Sequence, residues 1–73
     1  MTIPQHAAFD SSVLTAAAYD GEQSMLQLDF RSGSLYRYFD VDCRIWEALL
    51  AAESKGTFFH QAIRGHFRFV RLK

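Results

Sequence analysis

The clearest structural pattern in the chain lies in residues 25–39, which read MLQLDFRSGSLYRYF. Leu26, Leu28 and Phe30 alternate with methionine, glutamine and aspartate, which is typical of an antiparallel strand with one buried face. The next residues, Arg-Ser-Gly, form a turn signal, and a second strand with two tyrosines on one face follows it. The stretch therefore predicts a β-hairpin.

Two registers are open for this hairpin. A two-residue loop would pair Leu28 with Arg37 and would set the tyrosines against polar residues. A three-residue loop with a left-handed Gly33 would pair Leu28 with Tyr36 and the other tyrosine with Leu26. We prefer the second register because it joins an aliphatic stripe to an aromatic one.

The segment before the hairpin is ambiguous. Residues 12–20 contain three consecutive alanines, which favour a helix, but the segment is short and closes on Asp20 and Gly21, as a strand entering a hairpin does. We choose a strand because the following segment supplies its partner. Residues 1–10 have no clear period and one proline, so we expect a loosely held N-terminal arm, followed by a single domain over residues 11–73.

The segment after the hairpin predicts helices. Asp42 is a good N-cap, and Val41 and Trp46 are spaced to form a hydrophobic staple. We expect the first helix to end at Gly56 in a left-handed conformation. Thr57 would cap a second helix from Phe58 to Arg64, which Gly65 would end. Residues 67–71 read as an extended return to the sheet edge.

The predicted fold class is α+β. It is a three- or four-stranded antiparallel meander with two short helices packed on one face, in the order β-β-β-α-α-β. The predicted core joins the strand and helix faces, and its members are Leu26, Leu28, Phe30, Tyr36, Tyr38, Ile45, Trp46, Leu49, Phe59 and Ile63.

Composition limits the class of protein. The 73 residues are enough for one domain, and 49% hydrophobic with 22% charged residues is typical of a folded chain. The single cysteine excludes an internal disulfide framework and fits a reducing, cytoplasmic location. No long apolar run predicts a membrane span, and the first residues lack a secretory signal.

The net charge of zero hides two oppositely charged halves. Residues 1–42 carry two bases and six acids, a charge of −4, whereas residues 43–73 carry six bases and two acids, a charge of +4. Such a division can create a positive face on a neutral molecule, or can attract a second copy.

An ordered set of motifs resembles one known family. The motifs are Tyr19-Asp20, Leu26-x-Leu28-x-Phe30, Gly33, Tyr36-x-Tyr38, Val41, and Ser54-x-Gly56-x-Phe58-Phe59 leading into Ile63-Arg64. Together they resemble the KTSC domain, found at the C-terminus of some lysyl-tRNA synthetases and as free-standing bacterial or phage proteins. The resemblance covers residues 11–72, with His60 at a position where the family more usually has asparagine. It implies a small module with RNA binding suggested by the synthetase context, and no established activity.

The candidate nucleic-acid site lies near the C-terminus. Arg64, Arg68 and Arg71 could contact phosphates and Phe67 could stack on a base, with a tRNA-like RNA as the partner. The alternative is an edge strand with phenylalanines inward and arginines solvated, which we favour structurally. Likewise, the hairpin tyrosines could stack bases, but our register favours a place in the core.

The sequence offers little support for an enzyme. Cys43 lies at a helix start, but we expect a packing or incidental role for this lone thiol. The histidines and the cysteine lack ligand spacing, so we predict no metal and no cofactor. We therefore predict a non-catalytic small binding module for RNA. The alternative is a protein-interaction or self-association domain, a homodimer for example, with no nucleic-acid role.

Overall fold

A computed structural model describes residues 4–73 as one antiparallel sheet with short helices on one face. The elements are β1 (Gln5–Ala8), β2 (Leu14–Asp20), β3 (Met25–Phe30), β4 (Leu35–Tyr38), α1 (Cys43–Ala51), α2 (Lys55–Phe58), a π-helical segment (Phe59–Ile63) and β5 (Phe69–Arg71). The five strands lie in the order β1-β2-β3-β4-β5. The α+β class and the antiparallel meander are confirmed, but the described sheet has one strand more than the predicted maximum.

The additional strand is β1, in the region where the sequence predicts a loosely held arm. Gln5–Ala8 pairs with β2, with Ala7 opposite Ala17. The indole Nε1 of Trp46 donates a hydrogen bond of 2.9 Å to Gln5 Oε1, which ties the strand to α1. The arm prediction is therefore wrong for residues 5–8, because pairing along β2 and a distant indole hold them. Residues 1–3 lie outside the described part of the chain.

The β3–β4 hairpin has the preferred register. Leu28 lies opposite Tyr36 and Leu26 lies opposite Tyr38. Gly33 has a φ of +97°, and its amide donates to the Phe30 carbonyl oxygen at 2.9 Å. A left-handed backbone at this position closes the three-residue loop, and glycine adopts it without a steric penalty.

The helices cover one face of the sheet. Because residues opposite each other share a face, Tyr19, Leu26, Tyr38 and Phe69 form one row on the helix side. The buried hydrophobic residues are Leu14, Ala17, Tyr19, Leu26, Leu28, Tyr38, Val41, Trp46, Leu49, Phe59 and Ile63. Of the predicted core residues, Phe30, Tyr36 and Ile45 are only half-buried and pack at its rim.

Helix α1 begins as predicted. The Asp42 carboxylate accepts a hydrogen bond of 2.8 Å from the amide of Arg44, and Val41 and Trp46 are both buried. The helix ends at Ala51, earlier than expected. The ammonium group of Lys55 donates to the carbonyl oxygens of Ala52 and Leu50 and satisfies the end of the helix instead of a left-handed glycine.

Gly56 is required for a close contact and not for a helix end. It is buried within α2, whose N-cap is Ser54 and not the predicted Thr57. A β-carbon added at Gly56 would lie 2.6 Å from Cγ2 of Val13. Since real β-carbons do not approach so closely, only glycine allows α2 to rest on the start of β2. The predicted left-handed conformation of Gly56 is therefore wrong, whereas Gly65, predicted to end the second helix, follows the π-helical segment and has a φ of +81°.

We predict that Gly56→Ala destabilises the protein by about 1–3 kcal/mol, because the added methyl group overpacks against a stiff β-branched side chain. Alanine's better helix propensity, about 1 kcal/mol, acts in the opposite direction. Urea unfolding of Gly56→Ala, Val13→Ala and the double variant measures the coupling between the two sites. The double variant should recover stability relative to the sum of the single changes.

Gly21→Ala is the control for this prediction. A β-carbon at Gly21 meets only Tyr19 Cε2, at an ordinary distance of 3.6 Å. Equal effects of the two glycine substitutions, or purely additive effects of Val13→Ala and Gly56→Ala, would contradict the proposed contact.

A candidate nucleic-acid interface

A groove lies on the helix side of the sheet, between β4, β5 and the end of the π-helical segment. It has a volume of about 520 Å³. Its aromatic lining consists of Phe30, Tyr36, Tyr38, Phe59 and Phe69, and Arg64 lies at its edge. We call it the aromatic groove.

The rings of the aromatic groove support one another. Tyr36 and Tyr38 are stacked with a centroid distance of 6.3 Å, and the Phe69 ring is tilted against both, at 5.5 and 5.6 Å. Phe59 meets Phe30 edge-on at 5.0 Å. Such offset and edge contacts are favourable for aromatic rings beyond the area they bury. The walls are therefore held by ring–ring packing.

The aromatic rings of the groove differ sharply in their exposure to solvent. Tyr38 is only 4% exposed, so the prediction of a core position is confirmed for this tyrosine. Tyr36 is half-buried at the rim, and Phe69 is 51% exposed. Phe69 and the rim ring of Tyr36 are consequently the aromatic surfaces that a ligand can reach most directly.

The phenol groups of the groove have no hydrogen-bond partner among residues 4–73. The hydroxyl of Tyr19 differs, because it donates a hydrogen bond of 2.6 Å to the carbonyl oxygen of Val41. Burial raises the pKa of Tyr38 to about 12, with a further increase from the neighbouring Tyr36 and a small opposing effect from the positive charge of Arg64. The Tyr38 phenol is therefore neutral at physiological pH.

The predicted arginines divide between two sides of the sheet. The Arg71 guanidinium lies 5.9 Å from the centroid of the Tyr36 ring and donates a hydrogen bond of 3.3 Å to the Ser34 hydroxyl. Arg64 is among the residues that line the aromatic groove. Strand alternation places Arg68 on the other side, where its guanidinium lies 5.2 Å from the centroid of the Phe39 ring.

Arg68 also has an acidic neighbour. Its Nη2 lies 4.0 Å from Oδ2 of Asp40, and both side chains are well exposed, so the pair contributes little to stability. Arg64 forms no ion pair with any residue of the described chain. The structure therefore brings Arg64 and Arg71 together around the aromatic groove and leaves Arg68 on the far side.

The aromatic ring that the structure leaves open is Phe69 and not the predicted Phe67. Phe67 is half-buried and packs against the core. Phe69 lies opposite Tyr38 in the β4–β5 pairing. The alternation of residues 67–71 suggests that both phenylalanines share a face, but the strand begins only at Phe69, after a turn over residues 64–66.

Other chemical groups do not assemble into a site. Cys43 is exposed at the start of α1, so of the packing or incidental role expected of it the packing alternative is wrong. No group of three or more potential metal ligands comes together within residues 4–73. The described helices are also too short or too polar to cross a membrane.

The fold and the groove define a small α+β domain, a five-stranded antiparallel meander with short helices on one side. Residues 10–67 match the KTSC domain, and the chain belongs to this family. The resemblance seen in the motifs is thereby confirmed.

Relatives occur both as free-standing proteins and as parts of larger ones. An uncharacterised protein of Stutzerimonas stutzeri is 41% identical over 69 residues, which are 93% of this chain and 97% of the relative. A lysine–tRNA ligase of Nostoc sp. is 40% identical over 63 residues, which are 86% of this chain but only 11% of the ligase. The crystal structure of a KTSC domain protein from Yersinia pestis has a TM-score of 0.92 at 31% identity, and covers 97% of this chain and 100% of that one.

The pKa of Tyr38 predicts a loss of stability in alkali. Because the folded-state pKa of about 12 exceeds the unfolded value of 10.0, the folded state holds the proton more tightly. The contribution is complete below pH 10 and is lost as the pH rises through about 12. Wild type should therefore lose on the order of 2 kcal/mol more than Tyr38→Phe over this range.

Denaturant unfolding of both proteins at pH 8, 10, 11 and 12 measures this difference. The two proteins differ only in the Tyr38 hydroxyl, so the comparison isolates its effect. Parallel curves of stability against pH for wild type and Tyr38→Phe would show that this phenol does not titrate with a raised pKa.

Proposed function

We propose that this protein is a non-catalytic RNA-binding module that acts in the cytoplasm, with the aromatic groove as the centre of its interface. The observation that carries the proposal is that two arginines lie beside one set of aromatic rings: Arg64 lines the groove, and the Arg71 guanidinium lies 5.9 Å from the centroid of the Tyr36 ring. RNA-binding surfaces that recognise single strands combine positive charge for the phosphates with rings for the bases.

Charge distribution supports this proposal. The second half of the chain carries a net charge of +4, and its bases include Arg64, Arg71 and the exposed Lys73 around the groove and β5. Arg68 contributes a phosphate contact at the far side of the strand in this proposal. Phosphate contacts dominate nucleic-acid affinity and need only a local positive region, so a net charge of zero is no obstacle.

The comparisons add a second line of support. A segment of a lysine–tRNA ligase is 40% identical to this chain, and that enzyme is named for a tRNA substrate. A tRNA-like RNA is accordingly the ligand that we propose to test first.

We predict that Arg64→Gln with Arg71→Gln weakens tRNA binding about tenfold at low salt. The slope of log affinity against log salt should decrease by about 1 for each lost phosphate contact. Fluorescence anisotropy with labelled tRNA at 50 and 200 mM salt measures both effects.

Arg37→Gln is the matched control. It removes one positive charge, as each of the two arginine substitutions does, but from the open face of the sheet, where Arg37 donates a hydrogen bond to Gln27. Its affinity should stay within about twofold of wild type. No detectable tRNA binding at low salt, or an equal loss from the control, would reject the proposed function.

The free edge of β5 favours a second candidate, which is self-association. The Arg68 carbonyl oxygen accepts from the Phe39 amide, just beyond β4, and the Leu72 amide donates to Leu35 within it. Because the bonding direction alternates along a strand, the backbone groups of Phe69 and Arg71 point away from the sheet. Val70 and Leu72 are exposed beside this edge, at 43% and 44%. An unpaired edge with exposed apolar side chains is a template for strand pairing, and we propose a second copy of this chain as its occupant.

Sedimentation velocity from 1 to 500 µM tests this candidate. Self-association predicts a rise in sedimentation coefficient with concentration, and Val70→Lys should reduce that rise because it adds a charge to the edge. A monomer over the whole range would exclude pairing between copies.

A further inference from the structure

We infer that the aromatic groove holds a single unpaired nucleobase, with the flanking phosphates at Arg64 and Arg71. The module would therefore select single-stranded over double-stranded RNA. This inference rests on the proposed function and specifies what that site recognises.

The groove is large enough for a base, and its walls suit one. A volume of about 520 Å³ lies within the usual range for small-molecule sites, roughly 300–1,000 Å³. Its lining is mainly aromatic, and every base has a flat π-face that can stack on such rings. A base inside a duplex is already stacked on both sides, so it cannot enter without leaving the helix.

The groove offers polar groups for both parts of a nucleotide: tyrosine hydroxyls for the edge of the base and arginines for the phosphates. The hydroxyls of Tyr36 and Tyr38 have no hydrogen-bond partner among residues 4–73, and each can donate and accept one bond. Arg64 lines the groove, and Arg71 lies over the Tyr36 ring, where its guanidinium donates a hydrogen bond to the Ser34 hydroxyl. Charge complementarity thus favours an aromatic ring attached to an anionic backbone over an uncharged aromatic peptide.

Phe69 is the residue that distinguishes this inference from phosphate binding alone. Its ring forms the outer wall, is 51% exposed and packs on Tyr36 and Tyr38. Removal of this ring takes away a stacking surface and leaves the buried rings in place. Val70, on the same strand but the opposite face, is 43% exposed and provides a matched control.

The experiment compares three labelled probes of equal length by anisotropy at low salt: an oligouridine, the same phosphodiester backbone without bases, and an RNA duplex. We expect oligouridine to bind about tenfold tighter than either of the others. Phe69→Ala should weaken oligouridine binding about tenfold, with Phe69→Tyr close to wild type and Val70→Ala within about twofold. Circular dichroism checks that each variant is folded.

The outcomes separate the inference from the function on which it rests. If oligouridine and the baseless backbone bind equally and Phe69→Ala has no effect, the groove does not hold a base, although arginine-dependent binding can still stand. If none of the three probes and no tRNA binds at low salt, the proposed function fails and this inference fails with it.

Discussion

The left-handed backbone of Gly33 fixes the register of the β3–β4 hairpin, and the rest of the structure depends on that register. Side chains alternate along a strand, so a shift of one residue would move the two hairpin tyrosines to the open face of the sheet. In the observed register Tyr38 lies between Leu26 and Phe69 and is buried under the helices. The aromatic groove exists because β5 then adds its own ring to this row.

The groove is therefore built partly from the hydrophobic core. Tyr38 and Phe59 are walls of the groove and are also almost fully buried, so substitutions there would reduce stability and binding together. Phe69 and Arg71 lie on an edge strand, where few core contacts depend on them. The buried rings of Tyr38 and Phe59 thus stabilise the fold, and the exposed ring of Phe69 is available to a ligand.

The sequence predicts the part of the fold that depends on local pattern. Alternation in β3, the glycine of the turn and the Asp42 cap each act within a few residues, and all three predictions are confirmed. The errors involve contacts that are distant in sequence. Gln5 is bound by an indole 41 positions away, and Gly56 is required by the side chain of Val13. The hydrophobic periodicity of a short segment carries no information on contacts between residues so far apart in the sequence.

Prediction of the candidate site is limited in the same way, because the sequence does not show that Phe69, and not Phe67, is the accessible ring. Two phenylalanines two positions apart carry equal signals in the sequence, and only the pairing of β5 with β4 determines which one lies beside the tyrosines. That pairing follows a connection through both helices, so its register is set by tertiary packing. The same strand presents its ring to the aromatic groove and its outer backbone groups to the free edge of the sheet. Because a nucleobase would use the former and a second strand the latter, salt should weaken the first interaction strongly and the second only slightly.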